Sequence, residues 1–326
     1  MPPVRIVILD SFAADQGDDL WMGSGLHTLG ELVVHARSAD SDVVARCAGA
    51  TAALTNKVPF AAATFASLPD LRYVGVLATG TNAVDLGAAR AAGVAVTNVP
   101  GYAADSVAQH TFALILQLTN DVTGHDAAVK AGAWAASPDF CFFTRPILGL
   151  AGRTLAVVGS GAIGSAVARI AEAFGMRVIR AAVPGSPARA GEARTPLAEA
   201  LPAADVVSLH CPLTDATRGM VDAHFLAAMT PGAILINTAR GPLIDEAALC
   251  AALAGGRLGG VGLDVLSVEP PPADHPLTDP RAPWAARVVV TPHIGWGTIE
   301  ARTRLATEAT ENLRAFLAGT RRNRVD

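Results

Sequence analysis

The run from Arg153 to Gly175, RTLAVVGSGAIGSAVARIAEAFG, leaves this chain few choices of fold. Leu155 to Val158 is a short apolar, β-rich run that reads as a buried parallel strand. Gly159-Ser160-Gly161-Ala162-Ile163-Gly164 then turns the chain into a helix with apolar residues at Ile163, Val167, Ile170 and Phe174. The glycines of a GxGxxG turn in this setting do different work. The first makes the tight turn, the second lets a pyrophosphate approach, and the third lets the helix pack on the strand. The first N–H groups of the helix have no partners within it and attract phosphate. The stretch therefore predicts a dinucleotide site on Gly159, Ser160, Gly161, Ala162, Ile163 and Gly164. A merely structural turn, or another nucleotide-like ligand, is the alternative.

The chain is 326 residues long, which suggests about two domains. Half of it is apolar (51%), enough for two sizeable cores. The formal charge of −4 comes without any basic block, which argues against nucleic acid as a partner. Val4 to Leu9 is already strand-like, with no basic-then-apolar leader before it. No apolar run reaches the roughly 18 residues of a membrane span. Cys47, Cys141, Cys211 and Cys250 show no paired spacing, so neither a disulfide nor a metal site is expected. The expectation is a cytoplasmic protein with no membrane partner.

Strand and helix candidates alternate through the first hundred residues. Val4–Leu9, Ala52–Thr55, Arg72–Val76 and Val94–Thr97 are the clearest strands; Phe60–Ser67 and Leu86–Ala92 suit helices. Such alternation implies a parallel sheet covered on both faces. Ligands gather at the carboxyl ends of strands in such sheets. The loops Thr55-Asn56-Lys57 and Leu77 to Asn82, with Thr79, Gly80 and Thr81, are therefore binding candidates; ordinary turns are the alternative. One long helix is predicted from about Asp105 to Lys130, with Asp105 and Ser106 as capping candidates. Residues 131–150 hold Trp134, Phe140, Phe142 and Phe143, a contact arm for a partner or simply loop packing. From Arg153 strand candidates recur at 155–158, 177–181, 205–209, 233–237, 261–265 and 288–291, a doubly wound dinucleotide-binding pattern. Thr298 to Leu317 reads as an amphipathic helix that should return to the N-terminal domain.

Three polar residues follow the last three strands: Arg240 in NTARGPLID, Glu269 in GLDVLSVEPPP and His293 in TPHIGWG. All should open on the sheet edge that receives the cofactor. Reducing a 2-oxo acid requires a carboxylate anchor, a proton for the carbonyl oxygen and a hydride. Arg240 offers a fork of donors matched to a carboxylate. His293 can hold a proton near neutrality, and a carboxylate beside it favours the charged ring. Each has a bland alternative: a solvated arginine, a solvent-facing glutamate, a structural histidine. Asp264, ending a strand, is read as a contact to the nicotinamide side or as an acceptor of turn hydrogen bonds. The other histidines, His110 on the predicted helix among them, lack such a setting.

The segments LATGTNAVDL, NVPGYAADSVAQHT, GSGAIG, LHCPLT, LINTARGPLIDEAAL, GLDVLSVEPPPADHPL and TPHIGWGT resemble the D-isomer-specific 2-hydroxyacid dehydrogenase family over nearly the full length. The resemblance implies two doubly wound parallel-sheet domains, a Rossmann dinucleotide-binding domain (105–295) inserted into a flavodoxin-like substrate domain (1–104 and 296–326), and a homodimer. It implies NAD or NADP as cofactor, and catalytic roles for positions matching Arg240, Glu269 and His293. Substrate carboxylate contacts fall around Thr79–Thr81, with Asn56 a further substrate-binding candidate. Dinucleotide contacts fall on Cys211, Pro212, Thr238, Ala239 and Asp264. The wording is similar to members that act as glycerate dehydrogenases or hydroxypyruvate/glyoxylate reductases, a lean toward short, polar 2-oxo acids.

Two positions depart from the pattern, Ala182 and Ala162. Ala182 stands where an acidic residue would meet the adenosine ribose, which removes repulsion against a 2′-phosphate and permits NADP without demanding it. Arg180, Ser186 and Arg189 lie near enough in sequence to contact such a phosphate. Ala162 stands where many relatives have arginine, and Trp296 is bulky for a site beside His293; it narrows the pocket or packs between domains. The expectation is an NAD(P)-dependent 2-hydroxyacid dehydrogenase. The alternative from another class is a dinucleotide-sensing interaction protein, similar to the family's corepressor members.

Overall fold

The computed structural model describes residues 4–187 and 193–326. The chain forms two compact units, Met1–Ala103 with Gly297–Asp326, and Ala104–Trp296.

The first unit is built on β1 (Arg5–Ile8), β2 (Glu31–Val34), β3 (Ala52–Thr55), β4 (Tyr73–Val76) and β5 (Ala95–Thr97). They pair in parallel in the order β2-β1-β3-β4-β5. This is the flavodoxin-like winding. The last four in that order are nearly sealed from solvent, which is why they read as continuous apolar runs. Sequence reading did not single out β2, an edge strand with no buried residue whose apolar run is only Leu32-Val33-Val34. The helix Ile299–Leu317 is capped by the Thr298 hydroxyl, which accepts from the Ala301 N–H at 3.2 Å. It buries Ala301, Leu305, Ala306, Ala309 and Leu313, an i/i+4 stripe. Near its end the Phe316 ring lies 5.1 Å from that of Tyr73, so this helix does return to the N-terminal sheet. Past Gly319 the tail bonds along β5, with the Val325 N–H donating to Val96 O at 2.9 Å.

The second unit holds β6 (Thr154–Val158), β7 (Arg177–Ala181), β8 (Val206–Leu209), β9 (Ile234–Asn237), β10 (Gly260–Leu263) and β11 (Val288–Val290). Among the described residues these form one parallel sheet, ordered β7-β6-β8-β9-β10-β11, with Thr195 bridging Ala181 outside β7. The winding reverses between β6 and β8, a switch point of the Rossmann type, where ligands bind beyond the strands' carboxyl ends. The six strand candidates lie within two residues of the observed strands.

The long helix is a correction. It is two helices, Ala104–Asn120 and Val122–Lys130, broken at Asp121, whose φ is +48°. Ala104–Asn120 buries Val107, Ala108, Phe112, Leu114, Ile115 and Leu118, whereas Val122–Lys130 buries nothing, so no core holds the two in line. Aspartate tolerates the left-handed conformation better than most residues. The Asp121 carboxylate is also held by Gln117 Nε2 at 3.0 Å and Arg145 Nε at 3.2 Å. Ser106 is not a cap but lies inside the helix, its hydroxyl donating to Gly295 O at 2.6 Å. In the aromatic arm Trp134, Phe140 and Phe143 are exposed, Phe140 to 89%.

Candidate active site

At the end of β6 each glycine meets a different neighbour. Gly159 has φ +107°, and a Cβ there would lie 2.6 Å from His210 O. A Cβ on Gly164 would lie 1.9 Å from Gly159 O, so this glycine sets the approach of helix Ala162–Ala173 to the strand. At Gly161, the residue just before the helix, a Cβ would meet nothing within 4 Å. Gly161, as the cap residue, has no side chain to accept from the helix's first N–H groups. Open space in front of those N–H groups fits a pyrophosphate. Ser160, Ala162 and Ile163 complete this turn.

The other predicted cofactor residues line the ends of neighbouring strands. His210 N–H donates to Val158 O at 2.8 Å, tying the Cys211-Pro212 turn to β6. Burial pushes the Cys211 thiol up to about 11, so it is no nucleophile at neutral pH. Thr238 bonds Thr111 between hydroxyls at 3.1 Å, and the Ala239 N–H donates to Asn237 Oδ1 at 3.0 Å. Beyond β7 the Ala182 N–H donates to Thr195 O at 2.8 Å, and Arg194 Nη1 donates to the Ser186 hydroxyl at 3.2 Å. Arg189 lies outside the described residues.

Of the three catalytic candidates, the structure joins two directly: His293 Nδ1 lies 2.7 Å from Glu269 Oε2. Glu269 Oε1 accepts from the Leu266 N–H at 3.1 Å. Arg240, past β9, donates from Nη1 to Ala239 O at 2.7 Å, and its carbonyl accepts from Asn237 Nδ2 at 2.8 Å. In the first unit, Asn56 Nδ2 donates to Leu77 O at 2.6 Å and the Thr79 hydroxyl donates to Val99 O at 3.0 Å. These bonds brace the Thr79-Gly80-Thr81 loop beyond β4.

Asp264 explains the backbone of His293, whose φ of +55° is uncommon for any residue but glycine. Its Oδ1 accepts from the Thr291 hydroxyl at 2.6 Å and the Ile294 N–H at 2.9 Å, its Oδ2 from the Gly295 N–H at 2.8 Å. Its own carbonyl accepts from the His293 N–H at 2.8 Å. Burial raises this carboxyl, but the His110 ring, Thr291 and the Gly295 and Ile294 N–H groups outweigh it and hold Asp264 below the usual range. The turn-acceptor reading of Asp264 is therefore realised. His110, passed over in the sequence, belongs to this network, with Nε2 2.8 Å from the Thr291 hydroxyl and 3.3 Å from Asp264 Oδ1. Nothing in a helical stretch signals a partner so distant in sequence.

His210 adds a pH dependence. Its Nε2 lies 2.8 Å from the Ser208 hydroxyl, while Nδ1 is buried without a hydrogen-bond partner among the described residues. Burial pushes the ring down to about 3. Unfolded, it titrates at about 6.5 and binds a proton that the folded ring refuses. Its contribution is thus complete above 6.5 and is lost as pH falls toward 3. The His210→Gln variant should lose stability less steeply on acidification, by up to about 1.4 kcal/mol per pH unit. Urea unfolding at pH 7, 6 and 5 checks this; parallel losses in parent and variant would refute it.

A profile of the NAD-binding domain of D-isomer specific 2-hydroxyacid dehydrogenases matches residues 112–295. The chain is 40% identical over 321 residues to a hydroxypyruvate reductase of Blautia hydrogenotrophica, covering 97% of this chain and 98% of the relative. It is 41% identical over 285 residues to a glycerate dehydrogenase of Methylorubrum extorquens, covering 87% and 88%. The crystal structure of an NADPH-dependent glyoxylate/hydroxypyruvate reductase from Sinorhizobium meliloti, in complex with NADP and malonate, superposes with a TM-score of 0.82. Identity there is 28%, over 99% of this chain and 97% of the other. The chain belongs to the D-isomer specific 2-hydroxyacid dehydrogenase family. It is an oxidoreductase that uses a nicotinamide dinucleotide.

Proposed function

We propose that this protein reduces a short 2-oxo acid, glyoxylate or hydroxypyruvate first, to the 2-hydroxy acid, with the D configuration where C2 becomes a stereocentre. The observation that carries the reading is the 2.7 Å contact of His293 Nδ1 with Glu269. It orients the ring and leaves Nε2 to give a proton to the carbonyl oxygen, or to take one back in the reverse direction. The bound nicotinamide supplies the hydride. Arg240 takes the substrate carboxylate through its planar fork of donors. For Thr79, Gly80, Thr81 and Asn56 the proposed role is also substrate binding, and for Cys211, Pro212, Thr238 and Ala239 dinucleotide binding. Trp296 donates its indole N–H to His293 O at 3.0 Å and favours acids of two or three carbons by its bulk. The dinucleotide-sensing alternative is not favoured, because it gives the His–Glu pair nothing to do.

With Ala182 beyond β7, no carboxylate at that position repels a 2′-phosphate, and NADPH is accepted alongside NADH. The S. meliloti reductase named above is NADPH-dependent, which supports this. Initial rates on glyoxylate, hydroxypyruvate, pyruvate and a bulky aromatic 2-oxo acid test both points. The expected result is highest kcat/KM on the first two, with NADPH and NADH within about tenfold, a difference of under about 1.4 kcal/mol. Preference for the aromatic acid overturns the pocket argument, and a large NADH preference overturns the cofactor argument. We also place the protein in the cytoplasm as a homodimer, with Trp134, Phe140 and Phe143 in the contact. An apolar patch of this kind marks an interaction site, and a monomer mass by light scattering would remove that assignment.

A further inference from the structure

Glu269 lies on a loop poor in backbone donors. Residues 267–275 read SVEPPPADH, and Pro270, Pro271 and Pro272 have no N–H to donate. Val268, next to Glu269, is 59% exposed, so apolar packing does not fix the loop there either. Its two ends are held instead by one side chain. Glu246 Oε1 accepts from the Ser267 N–H at 2.8 Å, and Glu246 Oε2 lies 3.1 Å from His275 Nε2. His275 is 7% exposed, and its Nδ1 accepts from the Leu277 N–H at 3.3 Å. That bond makes Nδ1 the acceptor, so Nε2 carries the hydrogen and donates it to Glu246.

Glu246 is itself fixed. It is the first residue of helix Glu246–Ala254, which Asp245 caps by accepting from the Ala247 and Ala248 N–H groups at 3.0 and 3.2 Å. The turn leading to this helix carries Arg240 and Gly241. Gly241 lies so close to the base of the Glu269 loop that a Cβ would come within 2.0 Å of Leu266 C. The start of this helix and the turn before it thus hold both the base and the far end of the loop.

We propose that Glu246 is a positioning residue for the reaction: by clamping Ser267 and His275 with its two oxygens, it holds Glu269 where it orients His293. This rests on the reading of Glu269 and His293 as the acid/base pair. Glu246 acts through Glu269, so the two substitutions are coupled rather than additive.

The test is a double-substitution cycle, Glu246→Ala and Glu269→Gln singly and together, with glyoxylate and NADPH. Dinucleotide Kd is measured on each enzyme by fluorescence titration. Glu246→Ala should lower kcat about 10- to 100-fold, the scale of a misplaced catalytic group, with the Kd within about twofold. In the Glu269→Gln background it should lower kcat less than about threefold. Glu246→Gln, run in parallel in case the alanine variant folds poorly, keeps an acceptor for Ser267 and places an N–H against His275. It should fall between parent and alanine. An undiminished loss in the Glu269→Gln background, or no loss in the parent, overturns the proposal and leaves the active-site reading standing. A Glu269→Gln enzyme as fast as the parent removes the active-site reading, and this proposal with it.

Discussion

The His293→Ala enzyme is expected to lose kcat by about 10³-fold, within the range for removal of a general acid/base, while its dinucleotide Kd is unchanged. The separation comes from where the groups sit. His293 lies past β11 and pairs with Glu269, whereas the GSGAIG cradle lies at the end of β6. Arg240→Lys should also fail, but differently. A point charge replaces the planar fork, so bidentate recognition of the carboxylate is lost and KM for the 2-oxo acid rises with the fall in rate. Steady-state kinetics with both variants, beside fluorescence titration of the dinucleotide, check the pair of outcomes. Near-normal turnover in both would remove the assigned acid and the assigned anchor together.

The second large effect is a contrast between two glycines three residues apart. Gly164→Ala places a methyl 1.9 Å from Gly159 O, so helix Ala162–Ala173 must move off its strand. The expected cost is about 3 kcal/mol, the upper end of ordinary overpacking. At about 2–4 °C per kcal/mol this reads as a fall in Tm of roughly 10 °C. Gly161→Ala meets no atom within 4 Å and needs no unusual φ, so its Tm should hold. Its methyl fills the space in front of the helix N-terminus, and dinucleotide Kd should weaken about tenfold or more, about 1.4 kcal/mol. Calorimetry and titration on the two variants separate packing from binding. Equal Kd for Gly161→Ala and the parent would mean that the space is not the pyrophosphate cradle.

The fold was legible because its central strands are buried on both faces and spell apolar runs, while the glycine turn commits the chain to a helix after β6. Legibility thinned where burial fell away, although the half-buried β7 and β11 still read as strands. The edge strand β2 buries none of its residues and offers only the short run Leu32-Val33-Val34. The predicted helix over 105–130 breaks at Asp121 because helix propensity extends past the last residue that a core holds in line. Likewise Arg240, Glu269 and His293 announced themselves by falling after strands on one sheet edge.

What the sequence determined by itself is therefore the alternation of strands and helices in both units, the glycine turn after β6 and the residue types delivered to the carboxyl ends of the strands. Only the tertiary structure decided how those residues are held. His110 reaches Thr291 and Asp264, Asp264 accepts from the His293, Ile294 and Gly295 N–H groups, and Glu246 spans Ser267 and His275. The reason is physical: periodicity and turn chemistry are local and leave a trace every few residues. A hydrogen bond between side chains far apart in the chain leaves none, because its geometry exists only once the sheet has brought the strands together.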